Sequence, residues 1–336
     1  MNIEWQKMKI AIISVTKNGD SNSLVLKEKL QEFSENIKIY FKSEVKTLGL
    51  NNVCKEAMTS YEAVIFISST GIAVRGIAPF IKSKDKDPAV VVVDNSSKYA
   101  ISLLSGHLGG ANELTALVSE TLRAEAIITT ATDNLNIKAP DLFAKENNLI
   151  IDSLKDCKDI AALLVEGKKV AFYDEDNKLD IPKGYRDSLE GVDGVMYVTN
   201  KLNLNTSKKT LKLIRKNIVL GIGCRKDYDE DTMEKTVFEV LEKYNLDIRS
   251  VKVIGTVEIK AEEKAILRLQ KRLSCDLNIF SIDDIRKVEH KYEGSDFVRK
   301  TIGVGSVCEP SVELSGAEIL IDKLKLNGMT LCIGKL

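Results

Sequence analysis

The chain has 336 residues, 44% of them hydrophobic and 29% charged, which excludes disorder throughout and gives length enough for roughly two or three domains. Lysine and arginine together number 49 and aspartate and glutamate 49, so no global basic field exists to collect nucleic acid or to hold an anionic membrane surface. Any anionic ligand must be gripped by local groups.

The first half repeats one pattern: a short β-branched run, a turn, then helical periodicity, which is the signature of α/β layers. Residues 10–15 read as a buried strand, followed by a polar turn at 17–20 and a helix over 21–33. Further strands are expected over 63–67, 89–93, 101–104 and 126–129, and four consecutive valines, 90–93, predict a strand covered on both faces. A helix over 154–165 and a strand over 169–173 suggest a small additional unit after about residue 135. Residues 199–217 are polar and lysine-rich with little periodicity, and read as an interdomain connection. The alternation then restarts: strand 218–222, helix 229–244, strand 251–259, helix 261–273, strand 277–280, and helical stretches over 281–288 and 309–324. The expected fold class is therefore α/β, with an N-terminal Rossmann-like α/β domain over 1–134, a small middle α/β region and linker over 135–216, and a separate C-terminal α/β domain over 217–336.

Six cysteines include no Cys-x-x-Cys pair, and the histidines are only two, His107 and His290. That argues for reduced thiols and against a structural zinc site. The first apolar run is too short to span a membrane and carries acidic and polar residues where a signal peptide is apolar, so a cytoplasmic protein is expected.

The densest cluster of chemistry-bearing residues is SLLSGHLGGANEL at 102–114, where a strand end, three glycines, a histidine and a carboxylate meet a helix start. Backbone N–H groups there can hold an anion or a developing oxyanion, and His107 can act as a general base near neutral pH. The bland alternative is a tight turn with a locally bonded histidine. A second strand end, SSTGIAVRG at 68–76, offers Arg75 for a bidentate pair with a carboxylate, or else a surface arginine. A third, TTATD at 129–133, offers hydroxyls and Asp133 to the same crevice, or else an N-cap.

In the second half, Gly221-Ile222-Gly223-Cys224-Arg225-Lys226 is two-thirds of a dinucleotide fingerprint, with Asp227 where the third glycine would fall. Cys224 reads as a small buried residue rather than a nucleophile. Charged strand-to-helix junctions at 257–263 and 306–310 add Lys260 and Glu309. His290, between Glu289 and Lys291, reads as solvated surface. No Walker A, Gly-x-Ser-x-Gly or His-Glu-x-x-His sequence occurs.

The runs TGIAVRGIAP (70–79), DPAVVVVD (87–94), ISLLSGHLGGANELT (101–115) and ITTATD (128–133) resemble the N-terminal half of the CbiG family of cobalamin-biosynthesis proteins. LGIGCRKD (220–227), GTVEIKAEE (255–263) and GVGSVCEPSVELSGA (303–317) resemble its C-terminal domain in the expected order, while about 135–215 matches least securely. The resemblance implies a cobalt-precorrin-5A hydrolase, which opens the ring-A δ-lactone and releases acetaldehyde to give cobalt-precorrin-5B in the anaerobic route to vitamin B12. It also implies a large tetrapyrrole substrate that bears acetate and propionate side chains and brings its own cobalt. No resident cofactor or protein metal site is then expected, and neighbouring enzymes of that pathway become candidate protein partners.

That chemistry requires a base and an oxyanion donor. The expected base is His107, with backbone N–H groups near Gly109 and Gly110, or Arg75, as donors. Glu113 is expected to orient His107 or to handle the second proton, with Asp133 or Glu309 in its stead if Glu113 points away. Thr70, Gly71, Ser105, Gly106, Gly109, Gly110, Asn112, Thr130, Asp133, Gly223, Arg225, Lys260 and Glu309 are expected to hold the substrate. Two other readings compete: a non-catalytic corrinoid carrier, and a nicotinamide-dependent tetrapyrrole reductase using the partial fingerprint at 221–226.

Overall fold

Strands β1 (Ile10–Ser14), β2 (Ile37–Tyr40), β3 (Ala63–Ile67), β4 (Ala89–Val93), β5 (Tyr99–Leu104) and β6 (Glu125–Ile127) form one sheet in the order β2-β1-β3-β4-β5-β6. They belong to a computed structural model that describes residues 8–83, 86–107, 109–130, 135 and 137–336. Every residue of β1, β3 and β4 is buried. Successive side chains point to opposite faces: Ile10, Ile12, Ile65 and Val91 meet helices Lys17–Leu30 and Ala111–Leu122, whereas Ile13, Phe66, Val90 and Val92 meet helices Leu50–Ser60 and Thr70–Ile77. Cover on both faces is why these strands are continuous apolar runs. Each fully buried Ile or Phe contributes about 1.5–3 kcal/mol.

The sheet is not uniformly parallel. β1, β2, β3 and β4 run one way, but β5 is antiparallel to β4, with Val93 opposite Ala100 and Val90 opposite Leu104, and β6 is parallel to β5. The reversal is made by a turn that Asp94 organises: its Oδ1 accepts the Tyr99 N–H at 2.7 Å and its Oδ2 the Ser96 N–H at 2.9 Å. The carboxyl ends of β5 and β6 therefore lie at the edge where β3 and β4 begin.

The first helix starts earlier than its apolar periodicity predicts, at Lys17, because Thr16 Oγ1 accepts the Gly19 N–H at 3.0 Å and turns the expected polar loop into a capped first turn. No element is expected between 34 and 62, yet β2 and helices Lys42–Leu48 and Leu50–Ser60 lie there. The strand and the first helix are too short to show a period.

The chain divides into two units, 1–143 and 144–336, inside the helix Pro140–Glu146. In the second unit, β7 (Leu149–Ile151), β8 (Val170–Asp174), β9 (Gly194–Thr199) and β10 (Lys209–Arg215) form a sheet in the order β7-β10-β9-β8. The expected helix forms as Leu154–Val165, capped by Ser153. The expected connection at 199–217 instead contains β10, whose Leu211, Leu213 and Ile214 are fully buried. Only Lys216 and Asn217 separate β10 from β11. The lysines there are misleading as solvent markers: Lys212 Nζ is buried, 3.0 Å from Asp247 Oδ2 and 2.8 Å from the Leu202 carbonyl.

A third sheet, in the order β13-β12-β11-β15-β14, is built from β11 (Ile218–Cys224), β12 (Val251–Val257), β13 (Asp276–Phe280), β14 (Glu318–Leu326) and β15 (Met329–Lys335). β14 and β15 are an antiparallel hairpin. The helical stretch expected over 309–324 is therefore only partly helical, as Cys308–Leu314. Gly316, at φ 79°, then leads into β14, which is amphipathic with period two.

Two ion clusters tie the second and third sheets together. In one, Arg215 grips Asp174 through paired contacts of 2.7 and 2.8 Å and Asp176 at 2.9 Å, and Lys335 on β15 closes on Asp176. In the other, Asp247 receives Lys212 from β10 and the Arg249 guanidinium, 2.8 Å away. Among the described residues, no helix is long and apolar enough to cross a membrane.

Candidate functional site

The carboxyl ends of β5 and β6 bring two of the three expected strand ends together. Ser102 Oγ donates to Asn112 Oδ1 at 2.7 Å, and Asn112 Nδ2 donates to Thr130 Oγ1 at 2.9 Å. Strand, helix start and the segment after β6 are thus laced through one amide. Gly106 is required beside it, since a Cβ there would stand 2.8 Å from Asn112 Oδ1 and 3.2 Å from Thr130 Cγ2. Ser105 holds a left-handed φ of 58° and donates its hydroxyl to the Asp87 carbonyl at 3.1 Å. That conformation is uncommon for a non-glycine residue and shows that the turn is constrained.

The helix start itself is already satisfied. The carbonyls of His107, Ser105 and Gly106 accept the N–H groups of Gly110, Ala111 and Asn112 at 3.0, 3.1 and 3.0 Å. The loop caps its own helix, so the Gly110 N–H, expected as an oxyanion donor, is engaged within the turn. Gly109 packs directly on Ser105.

His107 Nδ1 lies 3.4 Å from Asp141 Oδ1, and the two side chains are only 12% and 3% exposed. A carboxylate facing Nδ1 favours the tautomer that carries its proton there, which leaves the basic lone pair on Nε2. This partner was not expected. In the sequence, Pro140-Asp141 reads as an ordinary acidic first turn of a helix, and no local signal ties it to a histidine more than thirty residues earlier. Glu113, the expected partner, is exposed on its helix beside buried Leu114 and Thr115, and forms no ion pair among the described residues. Asp133 lies outside the described residues. Glu309, in the second unit, is bound to Ser306 Oγ and Lys323 Nζ, both at 2.8 Å.

The third expected strand end lies elsewhere. Thr70 and Gly71 open the helix that follows β3, at the edge opposite the His107 loop, and that helix covers the other face of the sheet. Arg75 is exposed on it and forms no ion pair among the described residues. The reversal at β5 is the reason Arg75 is not brought to His107: strand ends adjacent in sequence fall at opposite edges.

In the C-terminal sheet, Gly223, Arg225 and Lys260 line a cleft of about 1640 Å³, and Glu309 stands behind it through Lys323. Lys260 is paired with Glu263 at 3.0 Å. Burial pushes the Cys224 thiol up to about 11, so it stays protonated near neutral pH and is no nucleophile. Gly221 serves packing: a Cβ there would sit 1.9 Å from the Cys308 carbonyl oxygen, and one at Gly334 on the neighbouring strand 2.3 Å from Val312 Cγ1. The bare backbone seats helix Cys308–Leu314 on the sheet, which accounts for the first glycine of the partial fingerprint without a dinucleotide. Among the described residues no cluster of three or more His, Cys, Asp or Glu is placed to hold a metal ion.

Residues 52–133 match the family model for the cobalamin synthesis G N-terminal region, 138–214 that for the cobalamin biosynthesis central region, and 218–334 that for the cobalamin synthesis G C-terminus. The chain is 36% identical over 299 residues to a protein of Salmonella typhimurium named cobalt-precorrin-5A hydrolase, with 85% of each covered. It is 29% identical over 362 residues to a protein of the same name from Priestia megaterium, covering 98% of this chain and 95% of that one. A solved structure of a cobalamin biosynthesis protein G homologue from Sulfolobus solfataricus aligns over 98% of this chain and 97% of its own at 21% identity, with a TM-score of 0.42.

Proposed function

The chain belongs to the CbiG family of cobalamin-biosynthesis proteins, and from that premise we propose that it is a cobalt-precorrin-5A hydrolase whose base is His107. The observation that carries the assignment is the buried pairing of His107, on the loop that follows β5, with Asp141. The substrate is a tetrapyrrole with cobalt already in its centre; the metal is cargo, and no resident cofactor is invoked.

Water attacks the ring-A lactone carbonyl carbon while His107 Nε2 takes its proton. The ring C–O bond then breaks, and the imidazolium returns the proton to the leaving alkoxide, giving a carboxyl group and a side-chain hydroxyl. His107 Nε2, neutral again, takes the hydroxyl proton, and the carbon–carbon bond to the macrocycle breaks. Acetaldehyde departs, and the electron pair passes into the conjugated ring. Asp141 positions the imidazole and stabilises its charged form, and the Ser102–Asn112–Thr130 lacing holds the turn that carries it.

Anaerobic incubation with cobalt-precorrin-5A, with trapping of acetaldehyde, tests the reading. Wild type should release acetaldehyde and His107→Ala should not. Near-normal turnover by His107→Ala would remove the base assignment, and no release by wild type would remove the hydrolase reading.

A further inference from the structure

The cations that line the C-terminal cleft include ones paired with carboxylates and ones without an ion pair among the described residues. Lys260 and Lys323 are only 12% exposed and each is neutralised by a neighbouring glutamate, Glu263 and Glu309, at 3.0 and 2.8 Å. These pairs hold the wall in shape. Arg225 is exposed and forms no ion pair among the described residues, yet it is not a loose surface arginine. Its guanidinium stacks 5.6 Å from the centroid of the buried Tyr228 ring, and its backbone N–H donates to the Gly328 carbonyl at 3.0 Å. The arginine chain lies across Gly328, where a Cβ would come within 3.2 Å of Arg225 Cδ and 3.3 Å of its Nε. A ring beneath and a bare glycine beside it orient a charged fork that has no carboxylate partner among the described residues.

The rest of the cleft mixes charge and apolar surface, with carboxylates such as Asp227, Asp229 and Glu262 lining it beside the cations. Phe297 and Ile259 line it while 77% and 49% exposed, large apolar side chains that stand in solvent. Lys325, on the same rim, also forms no ion pair among the described residues. The volume, about 1640 Å³, exceeds the usual range of roughly 300–1,000 Å³ for a pocket that takes a drug-sized ligand.

We infer that this cleft is a binding site for a polycarboxylate tetrapyrrole, with Arg225 as a bidentate anchor for one peripheral carboxylate and Phe297 against the macrocycle face. That the natural occupant is the substrate rests on the hydrolase reading; the Arg225-anchored binding of a polycarboxylate macrocycle does not. Lys325 supplies a second, monodentate charge on the rim. The energetic weight falls on Arg225, because its orientation is fixed before the ligand arrives.

The full chain is titrated with uroporphyrin, an eight-carboxylate macrocycle, and the change in porphyrin absorbance is followed; the melting temperature of each variant checks its fold. Wild type should bind. Arg225→Ala should weaken binding about tenfold to a hundredfold without moving the melting temperature, and Arg225→Lys should restore only part of it, since a point charge replaces a fork. Equal porphyrin affinity in wild type and Arg225→Ala, or no binding by wild type, would overturn the inference and leave the hydrolase reading intact if acetaldehyde is still released. Arg225-dependent porphyrin binding by a wild type that releases no acetaldehyde would support the cleft and end the hydrolase reading.

Discussion

Asp141 Oδ1 stands 3.4 Å from His107 Nδ1, an acid and a base brought together from either side of a strand, on a loop and a helix that share no sequence signal. The pair defines a directional imidazole whose side chain is largely buried. Its consequences can be measured separately from binding.

Replacing the acid while keeping its shape should lower turnover. Asp141→Asn is expected to reduce kcat by roughly a hundredfold to ten-thousandfold, the usual contribution of a positioned acid–base group, with KM little changed. The double variant with His107→Ala should be no slower than His107→Ala alone, since the two act as one unit. Single-turnover acetaldehyde release reads both. A large rise in KM with unchanged kcat would make Asp141 a binding group instead.

Two glycines of the C-terminal motif should behave differently. Gly221→Ala forces a Cβ to 1.9 Å from a backbone oxygen of helix Cys308–Leu314, so either the helix or the strand must move. A loss of about 1–3 kcal/mol or more is expected. At Gly223 the nearest atom is the Thr330 hydroxyl at 2.9 Å, which can rotate aside, so Gly223→Ala should cost less. Urea unfolding of the two variants decides; equal losses would contradict the packing role of Gly221.

Acid should attack the second unit through Asp174 and Asp176. Burial pushes both carboxyls up, but Arg215 and backbone N–H groups at Asp174, and Lys335 and Arg215 at Asp176, outweigh it and hold both below the usual carboxylate range. The folded form therefore binds these protons less readily than the unfolded one. The stabilisation is complete above the ordinary carboxylate value, about 4, and is lost as pH falls through the depressed folded values. Melting temperature should drop steeply below about pH 4, and Asp174→Asn, less stable at neutral pH, should show a flatter acid limb. An acid limb unchanged in Asp174→Asn would place the sensitivity elsewhere.

Much of this architecture is legible in the residues, for reasons that also explain the failures. β1, β3 and β4 announce themselves because cover on both faces demands unbroken apolar runs, and helix Leu154–Val165 carries a serine cap and a clean periodicity. β10 and β14 hide because their lysines are not solvent markers: Lys212 is buried against Asp247, and Lys323 reaches Glu309. At the site, His107 and the glycines are conspicuous, whereas Asp141 is visible only in three dimensions. Arg75 is misplaced by a single fact, the direction of β5. The stretch Asp94-Asn95-Ser96-Ser97-Lys98 is a turn by composition, yet nothing local says which way the next strand pairs.

The same reversal bears on how the N-terminal sheet comes into being. β4 and β5 meet across the five residues between Val93 and Tyr99, whereas β1 and β3 must close a loop of about fifty residues before their first contact forms. Low contact order makes the Asp94-pinned hairpin the natural nucleus, formed on a timescale of about 1–10 μs, with the crossovers docking later onto its apolar face. The strand that delivers Ser105 and His107 is thus expected to be among the first parts of the sheet to order, ahead of the later segment that carries the acid facing the histidine.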